Sequence, residues 1–231
     1  MSIEENIFLA RVAEQAERFD DMVNFLKPVL DEKGGDITSD ERNLLSVAFK
    51  NLISSKRTAC RTIQAIEQNP KYQKFADALG RYKKQIEEAL YKDCENIISI
   101  IQSRILNKAS EAEARAFFVK MVGDYYRYIA ETATGDRLES VKTNALKAYQ
   151  EASGIDLPAC NATKLGLALN FSVFHYEVLK DEPQAIQIAE NALASALEKI
   201  DDLDENGFNE VKSIIELLKE NISLWKEDAE Q

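Results

Sequence analysis

The stretch Thr38-Ser39-Asp40-Glu41-Arg42-Asn43-Leu44-Leu45-Ser46-Val47-Ala48-Phe49-Lys50-Asn51 opens with a hydroxyl three residues ahead of a carboxylate. That is the spacing of a capping box, in which the two side chains reciprocally satisfy unpaired amides of a helix's first turn. Apolar residues recur at helical spacing behind the cap and almost throughout the chain, which reads as all-α. Ser110 and Glu113 repeat the capping-box spacing, and Asp181-Glu182-Pro183 places a cap and a proline at a third helix start. Gly34-Gly35, Gly135, Gly154 and Asn206-Gly207 mark breaks. The spacing predicts nine helices, roughly over 3–17, 19–32, 38–68, 71–106, 111–132, 135–153, 161–180, 184–202 and 208–228. Short connections favour antiparallel neighbours. No 34-residue repeat and no Pro- or Ser-rich linker divides the chain, so one helical domain is the economical reading. Pro28 lies inside the second segment, where a missing N–H predicts a bend or an early stop.

Composition removes whole classes of function. Gly and Pro number 8 and 4 in 231 residues, less than half their usual share, which argues against barrels and sandwiches. The net charge is −11, which repels nucleic acid and anionic membrane surfaces at long range. The longest run without a charged side chain, Leu165 to Tyr176, has 12 residues and is too short to span a membrane. Cys60, Cys94 and Cys160 are odd in number and never form a Cys-x-x-Cys pair, which suits a reducing compartment. The N-terminus carries Glu4 and Glu5 where a secretory signal would be basic, so a cytoplasmic location is expected.

Catalysis has no visible seat. His175 is the single histidine and sits in the apolar run Asn170-Phe171-Ser172-Val173-Phe174-His175-Tyr176, which reads as a packed imidazole and excludes multi-histidine zinc or di-iron sites. No Gly-x-Gly-x-x-Gly, Walker, Gly-x-Ser-x-Gly or kinase motif occurs. Neither a metal nor a cofactor is expected.

Four helix faces carry an unusual mixture. Lys50, Arg57 and Arg61 fall at i, i+7 and i+11, within roughly 40° of one line. Lys120, Asp124 and Arg127, with Tyr128 beside them, repeat the geometry and put an acid within reach of the cations. Each stripe reads either as a solvated charged face or as part of an anion site. Gly166, Asn170, Val173 and Glu177 fall at i, i+4, i+7 and i+11, and Ile214, Leu217, Asn221 and Leu224 at i, i+3, i+7 and i+10. Each of these faces mixes aliphatic side chains with one asparagine, whose amide either satisfies a core polar contact or pairs with the N–H and C=O of an extended peptide.

The blocks Arg42–Asn51, Gly123-Asp124-Tyr125-Tyr126-Arg127-Tyr128, Leu165–Phe174 and Glu220-Asn221-Ile222-Ser223-Leu224-Trp225, preceded by Ala13–Met22, resemble in sequence and order the signature segments of the 14-3-3 proteins. The resemblance covers nearly the whole chain. It implies a cup of nine antiparallel helices with an amphipathic groove for phosphoserine or phosphothreonine peptides, in a single 14-3-3-like domain over 1–228. Within it, 1–32 would supply dimerisation helices, 38–228 the groove, and 229–231 a short acidic tail. Carried over by position, Lys50, Arg57, Arg127 and Tyr128 would bind phosphate, with Arg61, Lys120 and Asp124 in support. Asn170 and Asn221 would hold the peptide backbone, with Glu177 and Trp225 near them, and Gly166, Leu169, Val173, Ile214, Leu217 and Leu224 would form the apolar wall. The partners so implied are phosphorylated client proteins and a second copy of the chain, with no nucleic acid and no membrane span.

The sequence departs from the family pattern in places. Cys60 stands where a tryptophan is usual, His175 where a tyrosine is usual, and Pro158 to Thr163 form a shorter connection before the seventh helix. The implied dimer interface uses Leu9, Val12, Ala16, Arg18, Asp21, Ile66 and Tyr82, but Gln85 and Ala89 stand where the family has the charges that pair with Asp21 and Arg18. A dimer weaker than usual is therefore expected. The reading is a phosphopeptide-binding adaptor without catalysis. Its alternative is a helical scaffold that takes unphosphorylated segments on the apolar wall, and an enzyme using Asp124 and Glu177 lacks any accompanying nucleophile or cofactor motif.

Overall fold

The computed structural model describes residues 1–229, which form nine α-helices and no strand. Helix α1 spans Ile3–Gln15, α2 Phe19–Lys33, α3 Ser39–Glu67, α4 Ala76–Ile100, α5 Ala112–Ala130, α6 Gly135–Ser153, α7 Ala162–Phe174, α8 Glu182–Leu197 and α9 Glu205–Ala229. Ala229 thus closes α9, and the remainder of the expected acidic tail, residues 230–231, lies outside the described residues. The contacts divide the chain into two compact units, Met1–Ser110 and Glu111–Gln231.

In the first unit α1 packs on α2, α2 on α3 and α3 on α4. The Thr38 capping box forms as expected: Thr38 Oγ1 accepts from the Glu41 N–H (3.2 Å) and the Thr38 N–H donates to Glu41 Oε2 (2.9 Å). Lys33 Nζ reaches Glu41 Oε1 at 2.6 Å and ties the end of α2 to the start of α3. A second box, between Ser2 and Glu5, starts α1. The ion pairs Lys56–Asp93 (2.7 Å) and Lys83–Glu67 (2.8 Å) run in opposite order along α3 and α4, which makes those helices antiparallel. Gly34 ends α2 at φ +61°, a left-handed conformation suited to glycine. A Cβ there would also collide with the Lys108 side chain.

Of the bend or early stop expected at Pro28, the stop does not occur, since α2 runs on to Lys33. Pro28 and Asn24 are both exposed, so the carbonyl that loses its partner faces water. Met22, Val23, Leu26, Val29 and Leu30 meanwhile bury one continuous face, and this outweighs a proline cost of about 3 kcal/mol.

In the second unit α5 packs on α6 and α7, α7 on α6, α8 and α9, and α8 on α9. Leu165, Ala185, Ala189, Val211, Ile215, Leu218, Ile222 and Trp225 form a buried cluster between α7, α8 and α9. Asp181 caps α8 as expected, through the Gln184 N–H at 3.2 Å. The box expected at Ser110 does not form. Helix α5 begins only at Ala112, the Ser110 hydroxyl donates to Asp36 (2.9 Å), and Glu113 accepts from Thr163 Oγ1 (3.3 Å). Asn206-Gly207 is not a break either: Asp204 accepts from the Gly207 N–H at 2.8 Å and starts α9 three residues early. The segments expected over 71–106 and 161–180 are not uniform. A 3₁₀ turn, Pro70–Phe75, precedes α4, while wider π turns follow α4 at Ile101–Leu106 and α7 at His175–Leu179.

Candidate functional site

Asp124 is the centre of a polar cluster inside the second unit. It is buried on α5, and its Oδ1 accepts from Tyr149 Oη of α6 (2.7 Å) and Asn170 Nδ2 of α7 (2.8 Å). Its Oδ2 accepts from Lys120 Nζ at 2.8 Å. Arg127 lies one turn on, with Nη2 3.7 Å from Asp124 Oδ1 and Nε donating to Tyr149 Oη at 3.2 Å. Arg127 is only 7% exposed, and its guanidinium lies 4.7 Å from the centre of the Tyr128 ring, at cation–π distance. Gly123 allows this convergence, because a Cβ there would meet the Tyr149 ring at 2.9 Å.

The cluster settles its own protonation. Burial pushes the Asp124 carboxyl up, but the charges of Lys120 and Arg127 and the hydrogen bonds from Lys120 and Tyr149 outweigh it, and the group is held below its ordinary range. Burial acts against the Arg127 charge, yet Tyr149 and Asp124 more than compensate and hold it protonated. Burial and the Asp124 charge push Tyr149 well above its ordinary value, so its hydroxyl remains a donor. The result is one carboxylate against two cations, a locally positive site on an acidic protein.

The apolar faces lie in the same unit. Gly166, Leu169, Asn170 and Val173 are half-buried on α7, and Ile214 and Asn221 half-buried on α9. Leu217 and Leu224 stand out from α9 at 45% and 58% exposure. Asn170 spends one N–H on Asp124, so it satisfies a core polar contact and keeps its remaining amide capacity. Asn221 makes no side-chain hydrogen bond among the described residues. Trp225 is 6% exposed, packed in the cluster between the helices and stacked on Tyr176 at 4.9 Å. Glu177 is exposed on the π turn after α7. His175 is buried against Phe171 (4.8 Å between ring centres), as the sequence predicts.

In the first unit Lys50, Arg57 and Arg61 lie along α3, Arg57 half-buried and the other two exposed. Lys50 has no ion pair among the described residues. Phe8 and Val12 of α1 and Tyr82 of α4 are exposed, Leu9 and Ile66 are half-buried, and Ala16 is exposed beyond the end of α1. Arg18 and Asp21 pair with each other at 2.8 Å. The residue of this cluster that sequence reasoning missed is Tyr149. It falls on no charged or mixed stripe, and only its packing under Asp124 and Arg127 reveals it.

No helix of the described residues is long and apolar enough to cross a membrane. The family profile described as 14-3-3 protein matches residues 9–226. The chain is 40% identical over 220 residues to 14-3-3 protein beta/alpha-1 of Oncorhynchus mykiss, covering 94% of this chain and 90% of the relative. It is 39% identical over 233 residues to 14-3-3 protein 3 of Entamoeba histolytica, covering 98% and 97%. It is also 41% identical over 234 residues to a 14-3-3-like protein of Solanum tuberosum, covering 98% and 90%. Profile and relatives agree over almost the full sequence, and the chain belongs to the 14-3-3 family of non-catalytic adaptors that bind client proteins.

Proposed function

We propose that this adaptor binds phosphoserine or phosphothreonine segments of its clients. The observation that carries the reading is Arg127, a buried cation held in one orientation by Asp124 and Tyr149. Ordering such a side chain in advance removes much of the entropy that an exposed arginine loses on binding. A phosphate monoester carries about −1.5 to −2 charges near pH 7 and takes charge-assisted hydrogen bonds worth roughly 1.5–3 kcal/mol each. In this reading Lys50, Arg57, Arg127 and Tyr128 are the phosphate-binding residues, with Arg61, Lys120 and Asp124 in support. Asn221 and the free capacity of Asn170 hold the peptide main chain, Glu177 and Trp225 flank them, and Gly166, Leu169, Val173, Ile214, Leu217 and Leu224 line the apolar side.

The exposure of Leu217 and Leu224 favours a second reading, in which unphosphorylated amphipathic segments dock on the same wall. Calorimetry with one peptide in phosphorylated and unphosphorylated forms separates the two. Binding that needs the phosphate and is lost in Arg127→Ala supports the first reading, and equal affinity for both forms supports the second. The family forms dimers, and we assign Leu9, Val12, Ala16, Arg18, Asp21, Ile66 and Tyr82 to a homodimer contact of a cytoplasmic protein.

A further inference from the structure

A cavity of about 260 Å³ opens in the second unit where the shortened connection between α6 and α7 meets α8. Its walls are apolar, formed by Leu157 of the connection, Phe171 of α7 and Ile188 of α8, and its space is left by the small side chains of Ala168 and Ala192. Phe171 is a fixed flat wall, since its ring stacks on Tyr149 at 5.2 Å. The cavity is open to solvent on its polar side, and a ligand that covers its apolar walls removes them from water.

Polar groups are confined to Ser153, Lys164, Asn191 and Ser195, all exposed. Lys164 is the one charged residue of the described lining. Its Nζ donates to the Leu157 carbonyl at 2.7 Å, which fixes the ammonium beside the apolar wall without neutralising it. An ammonium has three donors, so two remain, and no carboxylate pairs with Lys164 among the described residues. A cation hydrogen-bonded at the solvent-facing side of an apolar cavity matches a ligand with one negative end and an apolar body. At about 30 Å³ per water the volume equals roughly nine waters, which suits a short chain.

We propose that this cavity binds a small amphipathic monocarboxylate, with an alkyl chain of roughly six to eight carbons along Leu157, Phe171 and Ile188 and its carboxylate on Lys164. None of the residues assigned to the phosphopeptide site lines it, so the two proposals stand or fall separately.

Titration calorimetry with octanoate, acetate and octylammonium on the unmodified protein tests the chemistry. Octanoate should saturate a single site, acetate should bind at least about tenfold more weakly, and octylammonium should not bind. Lys164→Met should weaken octanoate about tenfold, the loss of a charge-assisted contact, and Ala192→Phe should abolish binding by filling the cavity. Failure of octanoate to saturate, equal binding of octylammonium, or affinity unchanged in Lys164→Met would overturn the proposal. The three-ligand comparison decides it even if the phenylalanine variant does not fold.

Discussion

Tyr149 donates its hydroxyl to Asp124 at 2.7 Å and, through the same oxygen, accepts from Arg127 at 3.2 Å. One buried hydroxyl therefore sets the geometry of both the acid and the cation. Tyr149→Phe keeps the ring stacked on Phe171 but leaves both partners short of a hydrogen bond. It should cost about 1–3 kcal/mol of stability, seen as a lower Tm, and should weaken phosphopeptide binding although Tyr149 is wholly buried. Affinity equal to the unmodified protein would show that Asp124 alone orients Arg127.

Arg57→Ala and Arg127→Ala should each lower phosphopeptide affinity by about tenfold or more. Their stabilities should differ. Arg127 is buried against Asp124, and removing one partner of such a pair costs about 3–5 kcal/mol, whereas Arg57 is half-buried on α3. Paired calorimetry and thermal melts measure both effects, and Arg57→Ala binding within about threefold of the unmodified protein would remove it from the phosphate site.

The two asparagines should separate. Asn221→Ala should weaken phosphorylated and unphosphorylated peptides by the same factor with little change in Tm, because its side chain has no hydrogen bond to lose. Asn170→Ala should lower Tm as well, since it removes a hydrogen bond from buried Asp124 (2.8 Å), a loss of about 1–3 kcal/mol. Peptide titrations and melts on both variants decide between main-chain binding and packing.

His175 gives the stability a pH dependence. Burial pushes its imidazole below the ordinary 6.5, and the Asp181 carboxylate, 3.7 Å from Nδ1, opposes this only in part. The unfolded chain therefore takes up this proton first. Stability should be level above the unfolded value, fall as the pH drops from about 6.5 toward the lower folded value, and level off below it. His175→Phe should remove that component from a denaturation series run between pH 5 and 8, and an identical pH profile in the variant would place its origin elsewhere.

Arg18 and Asp21 already pair along one helix end, while Gln85 and Ala89 offer no charges on α4. Exposed ion pairs are worth about 0–1 kcal/mol, so a dimer of this chain should rest on apolar contact by Phe8, Leu9, Val12 and Tyr82 and be insensitive to salt. Sedimentation over a dilution series at low and high salt measures this. Dissociation driven by salt would reveal ion pairs that have replaced the missing ones.

Local chemistry determined what was legible without a structure. The Thr38 and Asp181 caps, the glycine at the end of α2 and the 3.6-residue recurrence of apolar side chains act within a few residues of themselves, so the nine helices and the four mixed faces are readable from spacing alone. Where tertiary contacts compete, spacing fails. Ser110 and Glu113 have the sequence of a cap but bond instead to Asp36 and Thr163, and Pro28 stays helical because the apolar face around it is buried. Tyr149 is the clearest case. Its role depends on α6 laying one hydroxyl between Asp124 and Arg127 of α5, a convergence of distant residues that no periodicity within a single helix encodes.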